Sequence, residues 1–237
     1  MSWATYWNED WFWSENPVWD INASLFLDEV RKVLFFRKND IVLDIGCGAG
    51  YLEKKLAPLV KRIYAADLSS NLLQKCAERC KEFENIKTVK INHPYTDLSF
   101  LNKRFNLIFC VSVIQYYKSI SEVEELITSA QKIVAPGAKM LIADIPQRLN
   151  FFQKFRDLIC SIALSIQKGY FVSFFVMSLK TLFFATHYKK ACKNNPQLYL
   201  SKMDLENLLI KMGLKGVWIR RPFSVCVNRL NLLIEFL

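Results

Sequence analysis

The sequence predicts an α/β fold built on a mostly parallel β-sheet that helices cover on both faces. From about residue 41 to residue 145, short apolar segments of strand length alternate with longer amphipathic segments of helical length. This alternation is typical of parallel sheets. One apolar segment ends in an acid followed by three alternating glycines, which predicts a tight turn between a strand and a helix. Hydrophobic residues make up 52% of the 237 residues, enough for a buried core in one domain.

The elements of the core follow from this pattern and from its breaks at glycine and proline. Pro136-Gly137 is predicted to separate the last helix of the alternating part from its last strand. A short turn at Pro222 is predicted to join two C-terminal strands into an antiparallel hairpin. The predicted elements are strands at 41–45, 61–67, 86–91, 105–111, 138–145, 214–221 and 225–236, and helices at 50–58, 69–84, 120–135 and 202–212.

Two helices are predicted before the sheet. Trp3, Trp7 and Trp11 recur every four residues and therefore share one face of a short helix. Asn16-Pro17 ends that helix, and a second amphipathic helix is predicted at 21–36. The aromatic face is expected either to pack against the core or to cover a ligand pocket.

The three glycines form the strongest functional signal in the chain. Gly46, Gly48 and Gly50 occur within five residues of each other, and glycine is needed where the backbone adopts positive φ or lies against a ligand. A dinucleotide-binding turn would require a further glycine at the position of Tyr51, and its pyrophosphate would lie beside the acidic Asp44. The pattern therefore disfavours a dinucleotide and indicates a turn that holds a phosphate or a nucleoside, with an ordinary turn as the alternative.

A second acid supports a nucleoside site. Asp67 ends the next predicted strand, 17 residues after Gly50, and a carboxylate at that place can accept hydrogen bonds from both ribose hydroxyls. The alternative role for Asp67 is to cap the following helix, for which Ser69 is already available.

The spacing D-x-G-x-G-x-G from Asp44 to Gly50, followed by Asp67, resembles motif I of the class I S-adenosylmethionine-dependent methyltransferases of the small-molecule type. This resemblance implies a three-layer, Rossmann-like, seven-stranded sheet, and it implies S-adenosylmethionine as the cofactor, with Asp44 facing its cationic amino-acid end. The cofactor-binding residues that it implies are Asp44, Gly46, Cys47, Gly48, Gly50, Asp67, Leu68, Asn92, His93, Val111 and Gln115. The residues expected at the substrate pocket are Tyr6, Trp7, Trp19, Tyr117 and Tyr188.

The chain departs from that family at three positions. Asn92 stands near the place of an Asp that accepts from the adenine amino group, Asn106 replaces an Asp in the fourth strand, and Gln115 replaces a common His. The tetrad 92–95, Asn-His-Pro-Tyr, also looks like the Asn-Pro-Pro-Tyr of adenine-N6 methyltransferases. That motif belongs after the fourth strand, whereas this tetrad follows the third.

An insertion at 146–196 is expected to select the substrate. Its apolar centre is interrupted at Lys168-Gly169, which leaves two pieces that are each shorter than the roughly 20 residues of a membrane span. Two helices that form a lid over the site are therefore predicted. Residues 148–193 contain eight Lys or Arg and only one acid, so the alternatives are a lid that also contacts an anionic membrane and a solvated basic face.

The composition limits the partners and the location. The net charge of +10 is compatible with nucleic acid, but no RNA-binding module is added to the core. Seven cysteines without a C-x-x-C pattern, together with only two histidines, predict no metal site. The odd cysteine count and the absence of a secretory signal favour a cytoplasmic location, with the inner membrane face as the second choice.

The predicted activity is methyl transfer to a small or lipid-like hydrophobic acceptor at oxygen, nitrogen or carbon. The protein would chiefly align the reactants and exclude water, and His187 and Tyr116 are the candidate bases. The alternatives are a membrane-surface methyltransferase that acts on a lipid and a methyltransferase-like binding protein without turnover. The predicted division is a cap at 1–37 and a methyltransferase domain at 38–237 that contains the lid.

Overall fold

The computed structural model describes residues 2–9, 17–92 and 97–236, without the side chains of residues 17, 180–185 and 187. Its sheet has seven strands in the order β3-β2-β1-β4-β5-β7-β6. The first five are parallel, and β7 is antiparallel to both β5 and β6. This topology confirms the predicted sheet with its antiparallel C-terminal hairpin. The strands are β1 (Ile41–Ile45), β2 (Arg62–Asp67), β3 (Ile86–Lys90), β4 (Phe105–Val111), β5 (Val134–Pro146), β6 (Lys215–Trp218) and β7 (Arg229–Glu235).

Helices cover both faces of the sheet. Successive residues of a strand point to opposite faces, so Leu43 belongs to the core under α5 and α8, whereas Val42 belongs to the core under α2 and α3. The three-layer arrangement is therefore the predicted one. The helices are α1 (Trp3–Asn8), α2 (Pro17–Val30), α3 (Tyr51–Leu56), α4 (Ser70–Arg79), α5 (Ile120–Ile133), α6 (Phe151–Gln167), α7 (Phe171–Asn194) and α8 (Lys202–Lys211).

The connection between the last two strands is longer than predicted. Instead of a short turn at Pro222, ten residues from 219 to 228 link β6 to β7. Phe223 and Val225 are each 2% exposed, and burial of these apolar side chains stabilises the longer loop against the core. The loop consequently lies at the carboxyl end of β5, where Pro146 pairs with Arg229.

The start of β5 also differs from the prediction. Pro136-Gly137 lies inside this strand and does not separate it from α5, because the strand begins at Val134. The register against β4 shifts between Phe105 and Leu107, and such an irregularity accommodates a proline that has no N–H to donate to the ladder.

The insertion folds as two helices, with the break at the predicted place. Gly169 has φ of 76° between α6 and α7. Tyr170 and Phe174 pack with Val18 and Val225, so the helix pair closes one side of the sheet's carboxyl edge. None of the described helices is long and apolar enough to cross a membrane.

The N-terminal aromatic residues divide between two roles. Trp3 and Tyr6 are buried with Ala191 of α7, which is the predicted packing against the body of the protein. Trp7 lines the cavity described below. Trp11 lies outside the described residues.

Gly50 provides a test of the turn geometry. It has φ of +84°, and an added Cβ would lie 2.9 Å from the Cα of Cys76, a backbone atom that cannot move cheaply. Gly50→Ala is expected to lower the free energy of unfolding by about 3 kcal/mol, through left-handed strain and overpacking together. Gly213→Ala is the control, because its φ is +66° and its Cβ would meet nothing within 4 Å; it should cost about 1 kcal/mol. Urea unfolding measures both, and equal losses would refute the close-contact argument.

Candidate active site

A cavity of about 620 Å³ lies over the carboxyl ends of the central strands. The ends of β1, β2, β4 and β5 form its floor, and its walls include residues of α2, α6 and α7. In parallel sheets, ligands bind at this edge, and the volume is in the range of small-molecule sites. The floor residues include Asp44, Gly46, Gly48, Asp67, Val111, Ser112 and Asp144.

The glycine turn is tied directly to the end of β2. The Gly46 N–H donates to the Ala66 carbonyl at 2.7 Å, and the Gly48 N–H donates to Asp67 Oδ2 at 2.9 Å. A Cβ on Gly48 would meet nothing within 4 Å, so bare backbone borders open space there. The two strand ends therefore form one surface against which a flat ligand can lie.

Asp67 holds the turn without acting as a helix cap. Its Oδ1 accepts from the Ser69 N–H at 2.8 Å, whereas Ser69 caps α4 by accepting from the Leu72 N–H at 3.1 Å. Burial raises the pKa of Asp67, although hydrogen bonds from the Ser69 and Gly48 N–H groups oppose this rise. Each carboxylate oxygen has two lone pairs, so Asp67 keeps acceptor capacity toward the cavity.

Asp44 lies against a second buried acid, Glu53 of α3. No donor among the described residues reaches Asp44 Oδ1 or either carboxyl oxygen of Glu53. Burial raises the pKa of Asp44 to about 6, and the neighbouring charge of Asp67 contributes. Burial, followed by the charge of Asp44, raises the pKa of Glu53 well above its usual range. Two carboxyls in contact cannot both ionise cheaply, so the pair favours a form that keeps one proton.

Aromatic side chains form part of the wall of the cavity. The ring centroid of Tyr116 lies 5.6 Å from that of Trp7, and Gln197 Nε2 donates to the Tyr188 hydroxyl at 2.5 Å. Burial raises the pKa of Tyr116 and of Tyr188 above the ordinary tyrosine value. Both phenols are therefore protonated at neutral pH and suited to donate hydrogen bonds, which makes Tyr116 a poor base. The side chain of His187, the other candidate base, is outside the described residues.

Most of the residues predicted for the site meet at this cavity. Asn92 is exposed after β3 and is not among its described lining residues, and His93 is outside the described residues. The remaining roles stay predictions, because location alone does not test binding. The predicted residues that line the cavity are Asp44, Gly46, Cys47, Gly48, Asp67, Val111, Gln115, Trp7, Trp19, Tyr116 and Tyr188.

Four other predicted residues are not among the described lining residues, because packing directs them elsewhere. Gly50 packs against Cys76, and Leu68 is 6% exposed in the main core. Tyr6 is 3% exposed beside Trp3. Tyr117 is 1% exposed in the main core, next to a residue that does line the cavity.

Asn106 and Gln115 have local structural contacts. Asn106 lies at the opposite edge of the sheet, where its Oδ1 accepts from the Ile41 N–H at 2.8 Å. The side chain of Asn106 therefore fixes the start of β1, away from the cavity. Gln115 lines the cavity. Its Nε2 donates to the Ser112 carbonyl at 2.7 Å, and its main-chain carbonyl accepts from the Leu198 N–H at 2.9 Å.

The sequence reasoning missed a polar group at the β5 end of the cavity. Asp144 lies at this end, and it could have been found by the rule that identified Asp67, an acid at the carboxyl end of a predicted strand. The other members carry no comparable signal, because they come from the residue after β4, from helix α6, from the long loop before β7 and from the start of β7. The group comprises Ser112, Asp144, Asp157, Ser224 and Arg229.

Comparison with known proteins agrees with this geometry. Residues 42–137 match the family model described as a methyltransferase domain. The chain is 27% identical over 127 residues to a demethylmenaquinone methyltransferase of Tropheryma whipplei, covering 54% of this chain and 51% of that protein. It is 25% identical over 151 residues to a ubiquinone biosynthesis O-methyltransferase of Coxiella burnetii, covering 61% and 60%. The chain thus spans little more than half the length of the curated relatives it matches.

Solved structures share the fold. The N-methyltransferase NodS from Bradyrhizobium japonicum, in complex with S-adenosyl-L-homocysteine, superposes with a TM-score of 0.57 at 17% identity, over 97% of this chain and 93% of that one. Phosphoethanolamine N-methyltransferase 1 of Haemonchus contortus superposes with a TM-score of 0.62 at 17% identity, over 98% of this chain and 47% of that one.

The buried acid pair makes stability depend on pH. An acid whose pKa is raised by folding keeps its proton to a higher pH in the folded state than in the unfolded state. The free energy of unfolding therefore falls as pH rises from about 4, the usual pKa of a free carboxyl, through about 6, the pKa of Asp44 in the folded state. Glu53→Gln supplies an amide donor to Asp44 and should flatten this decline. We expect the variant to gain about 1 to 3 kcal/mol of unfolding free energy at neutral pH.

Urea unfolding across that pH range measures the effect. Glu78→Gln is the control, because Glu78 is an exposed acid whose described ion pair is with Lys81, three residues further along the chain. An unchanged pH profile in Glu53→Gln would contradict the shared proton.

Proposed function

Because the chain belongs to the class I S-adenosylmethionine-dependent methyltransferase family, we propose that it transfers a methyl group from S-adenosylmethionine to a small or lipid-like hydrophobic acceptor in the cavity. One observation carries the proposal. The ends of β1 and β2 meet through the hydrogen bond from Gly48 to Asp67, and an open cavity with aromatic walls lies directly above them.

The residues present fit the cofactor in charge and in shape. Asp67 would accept from the ribose hydroxyls, and the open backbone at Gly48 would lie against the nucleoside. Asp44 has a buried carboxylate oxygen that no described donor reaches, as expected for an acid that faces an ammonium group. The sulfonium of the cofactor supplies an activated methyl group. The protein orients the acceptor toward it and excludes water.

The walls of the cavity support a hydrophobic acceptor. Trp19 and Phe26 of α2, Met177 of α7 and Phe223 of the β6–β7 loop contribute apolar surface. The names of two relatives, a demethylmenaquinone methyltransferase and a ubiquinone biosynthesis O-methyltransferase, support an acceptor of the ring-bearing, lipid-like kind.

A second candidate places the same reaction at a membrane surface, and the inverted burial of α6 favours it. The buried residues of this helix are Ser161 and Ser165, whereas Phe152 is 81% exposed and Phe155 is 58% exposed. Helix α7 likewise exposes large apolar side chains, including Val172 at 74%. An exposed apolar surface of this extent is typical of an interaction site.

The charge of this surface favours an anionic bilayer. Lys154, Arg156 and Lys168 are exposed on or beside α6, and each basic side chain near anionic lipid contributes about 1 kcal/mol. The inner side of the same insertion supplies Asp157 and Met177 to the cavity. A lipid acceptor could therefore reach the cavity from the membrane without crossing bulk water.

Asp67 tests the cofactor site. Asp67→Ala should weaken S-adenosylmethionine binding about 10- to 100-fold, because the ribose hydroxyls lose their acceptor and the glycine turn loses its tie. Calorimetry measures the binding, and Asp97→Ala is the control, since Asp97 is an exposed acid bonded only to Ser99 among its described hydrogen bonds.

A labelling experiment tests for methyl transfer. Labelled methyl donor is incubated with the protein and fractionated lysate, and label is expected in the lipid or apolar small-molecule fraction. Tight cofactor binding with no label in any fraction would favour a binding protein without turnover.

Flotation tests the membrane candidate. The wild-type protein should float with vesicles that contain phosphatidylglycerol and much less with neutral phosphatidylcholine vesicles. Replacing Phe152 and Phe155 together by glutamate should lower the bound fraction at least tenfold, through lost apolar burial and charge repulsion. Phe100→Glu is the matched control, because Phe100 is 55% exposed between β3 and β4. Equal flotation of the double variant and the wild type would refute docking through α6.

A further inference from the structure

Two residues with strained backbone lie side by side at the ends of β4 and β5. Ser112 has φ of 58° and Asp144 has φ of 57°, and the only other described non-glycine residue with positive φ is Asn102 in a surface turn. Such strain costs of the order of 1–3 kcal/mol for each residue and concentrates at functional sites. The pairing of β5 with β7 also shifts register between Ile142 and Ile145, which marks a bulge around Asp144. Bulges beside active sites re-aim a side chain.

The surroundings hold the re-aimed carboxylate in place. The Asp144 N–H donates to Asn231 Oδ1 at 2.8 Å, and Asn231 Nδ2 donates to the Arg221 carbonyl at 2.8 Å. Ser224 Oγ donates to Asp144 Oδ1 at 2.7 Å, and Ser112 Oγ donates to Asp144 Oδ2 through a short bond. Asn231 is 1% exposed, so the network that fixes Asp144 is part of the core while the carboxylate borders the cavity.

The position of Asp144 suits the acceptor rather than the cofactor. Strand β4 lies between β1 and β5, and neighbouring strands are about 4.8 Å apart, so Asp144 lies about 10 Å across the sheet from the glycine turn. Cys110 pairs with Ile45 of β1 and with Ile142 of β5. Asp144, two residues after Ile142, therefore lies level with the glycine turn along the strand direction. A reacting group between the two sites would have the cofactor on one side and this carboxylate on the other.

Arg229 gives the acceptor end its chemical preference. Its Nε lies 3.7 Å from Asp144 Oδ1. Burial opposes its charge, but Asp144 and Cys226 raise the pKa of Arg229 above its ordinary value, so the guanidinium remains cationic. A cationic ammonium acceptor would be repelled by this group, whereas an oxygen that gains negative charge during reaction would be attracted. The rings of Trp7 and Phe223 supply an aromatic wall nearby.

We propose that Asp144 is the catalytic base of this site, that its acceptor is a hydroxyl group on an aromatic or enolic ring, and that Arg229 stabilises the negative charge that develops on that oxygen. This rests on the proposed methyl transfer and names the acceptor class for it. In the step, the acceptor oxygen bonds to the methyl carbon while the bond from that carbon to the sulfonium sulfur breaks. The sulfur keeps the electron pair, and the hydroxyl proton passes to Asp144.

Two phenols of different acidity test the base directly. Wild-type protein with labelled S-adenosylmethionine is given 4-methylphenol, which reacts only if its proton is removed, or 4-nitrophenol, which is largely ionised in mildly alkaline buffer. Asp144→Asn should lower kcat with 4-methylphenol about 100-fold, the usual contribution of a general base. With 4-nitrophenol the loss should be only about threefold, because an ionised acceptor needs no base. Asparagine tolerates positive φ, so the bulge is expected to persist.

The controls separate this proposal from the proposed function. Asp97→Asn makes the same chemical change at an exposed acid and should leave both rates unchanged, and Asp144→Asn should bind S-adenosylhomocysteine like the wild type. An equal loss with both phenols would assign Asp144 a structural role and overturn the proposal. Transfer to aniline or benzylamine but not to phenols, or no transfer to any of them despite cofactor binding, would also overturn it. Failure of the wild type to bind the cofactor would instead remove the proposed function.

Discussion

The hydrogen bond from the Gly48 N–H to the Asp67 carboxylate joins two strand ends that the chain reaches 19 residues apart. With the bond from Gly46 to the Ala66 carbonyl, it makes the β1 turn and the β2 end a single rigid surface. Because parallel strands end at the same edge of a sheet, the turn that follows β1 lies beside the end of β2. The cavity, its aromatic walls and the polar group around Asp144 are all positioned relative to this surface.

The charge balance of the cavity is opposite in sign to the net charge of the whole chain. The protein carries a net charge of +10, yet among the described lining residues the acids outnumber the bases. These are Glu9, Asp44, Asp67, Asp144 and Asp157 against Lys75 and Arg229. An acidic cleft with low-dielectric walls attracts cations, and a sulfonium nucleoside with an ammonium group is such a ligand. The basic residues lie outside, many on the insertion, where they are available to an anionic surface.

Alternation of strands and helices, with glycine and proline as boundaries, was sufficient to predict the succession of elements along the chain and the antiparallel hairpin at its end. It was less reliable at element ends. Pro136-Gly137 reads as a break but lies within β5, because a bulge against β4 accommodates it. The glycine turn and Asp67 were predictable because their spacing is local. Tyr117 lies in the core whereas Tyr116 lines the cavity, because neighbouring residues of one short turn can face opposite sides, and only packing decides which.

The sequence by itself determined the fold class, the glycine turn and the two acids beside it, because each depends on residues close together in the chain. Only the tertiary structure decided that Glu53 lies against Asp44, that α6 buries its serines and exposes its phenylalanines, and that Ser224 and Arg229 meet Asp144. These contacts join residues far apart in sequence or depend on which face of a helix is covered. No local pattern encodes them, because burial and charge pairing are properties of the assembled chain.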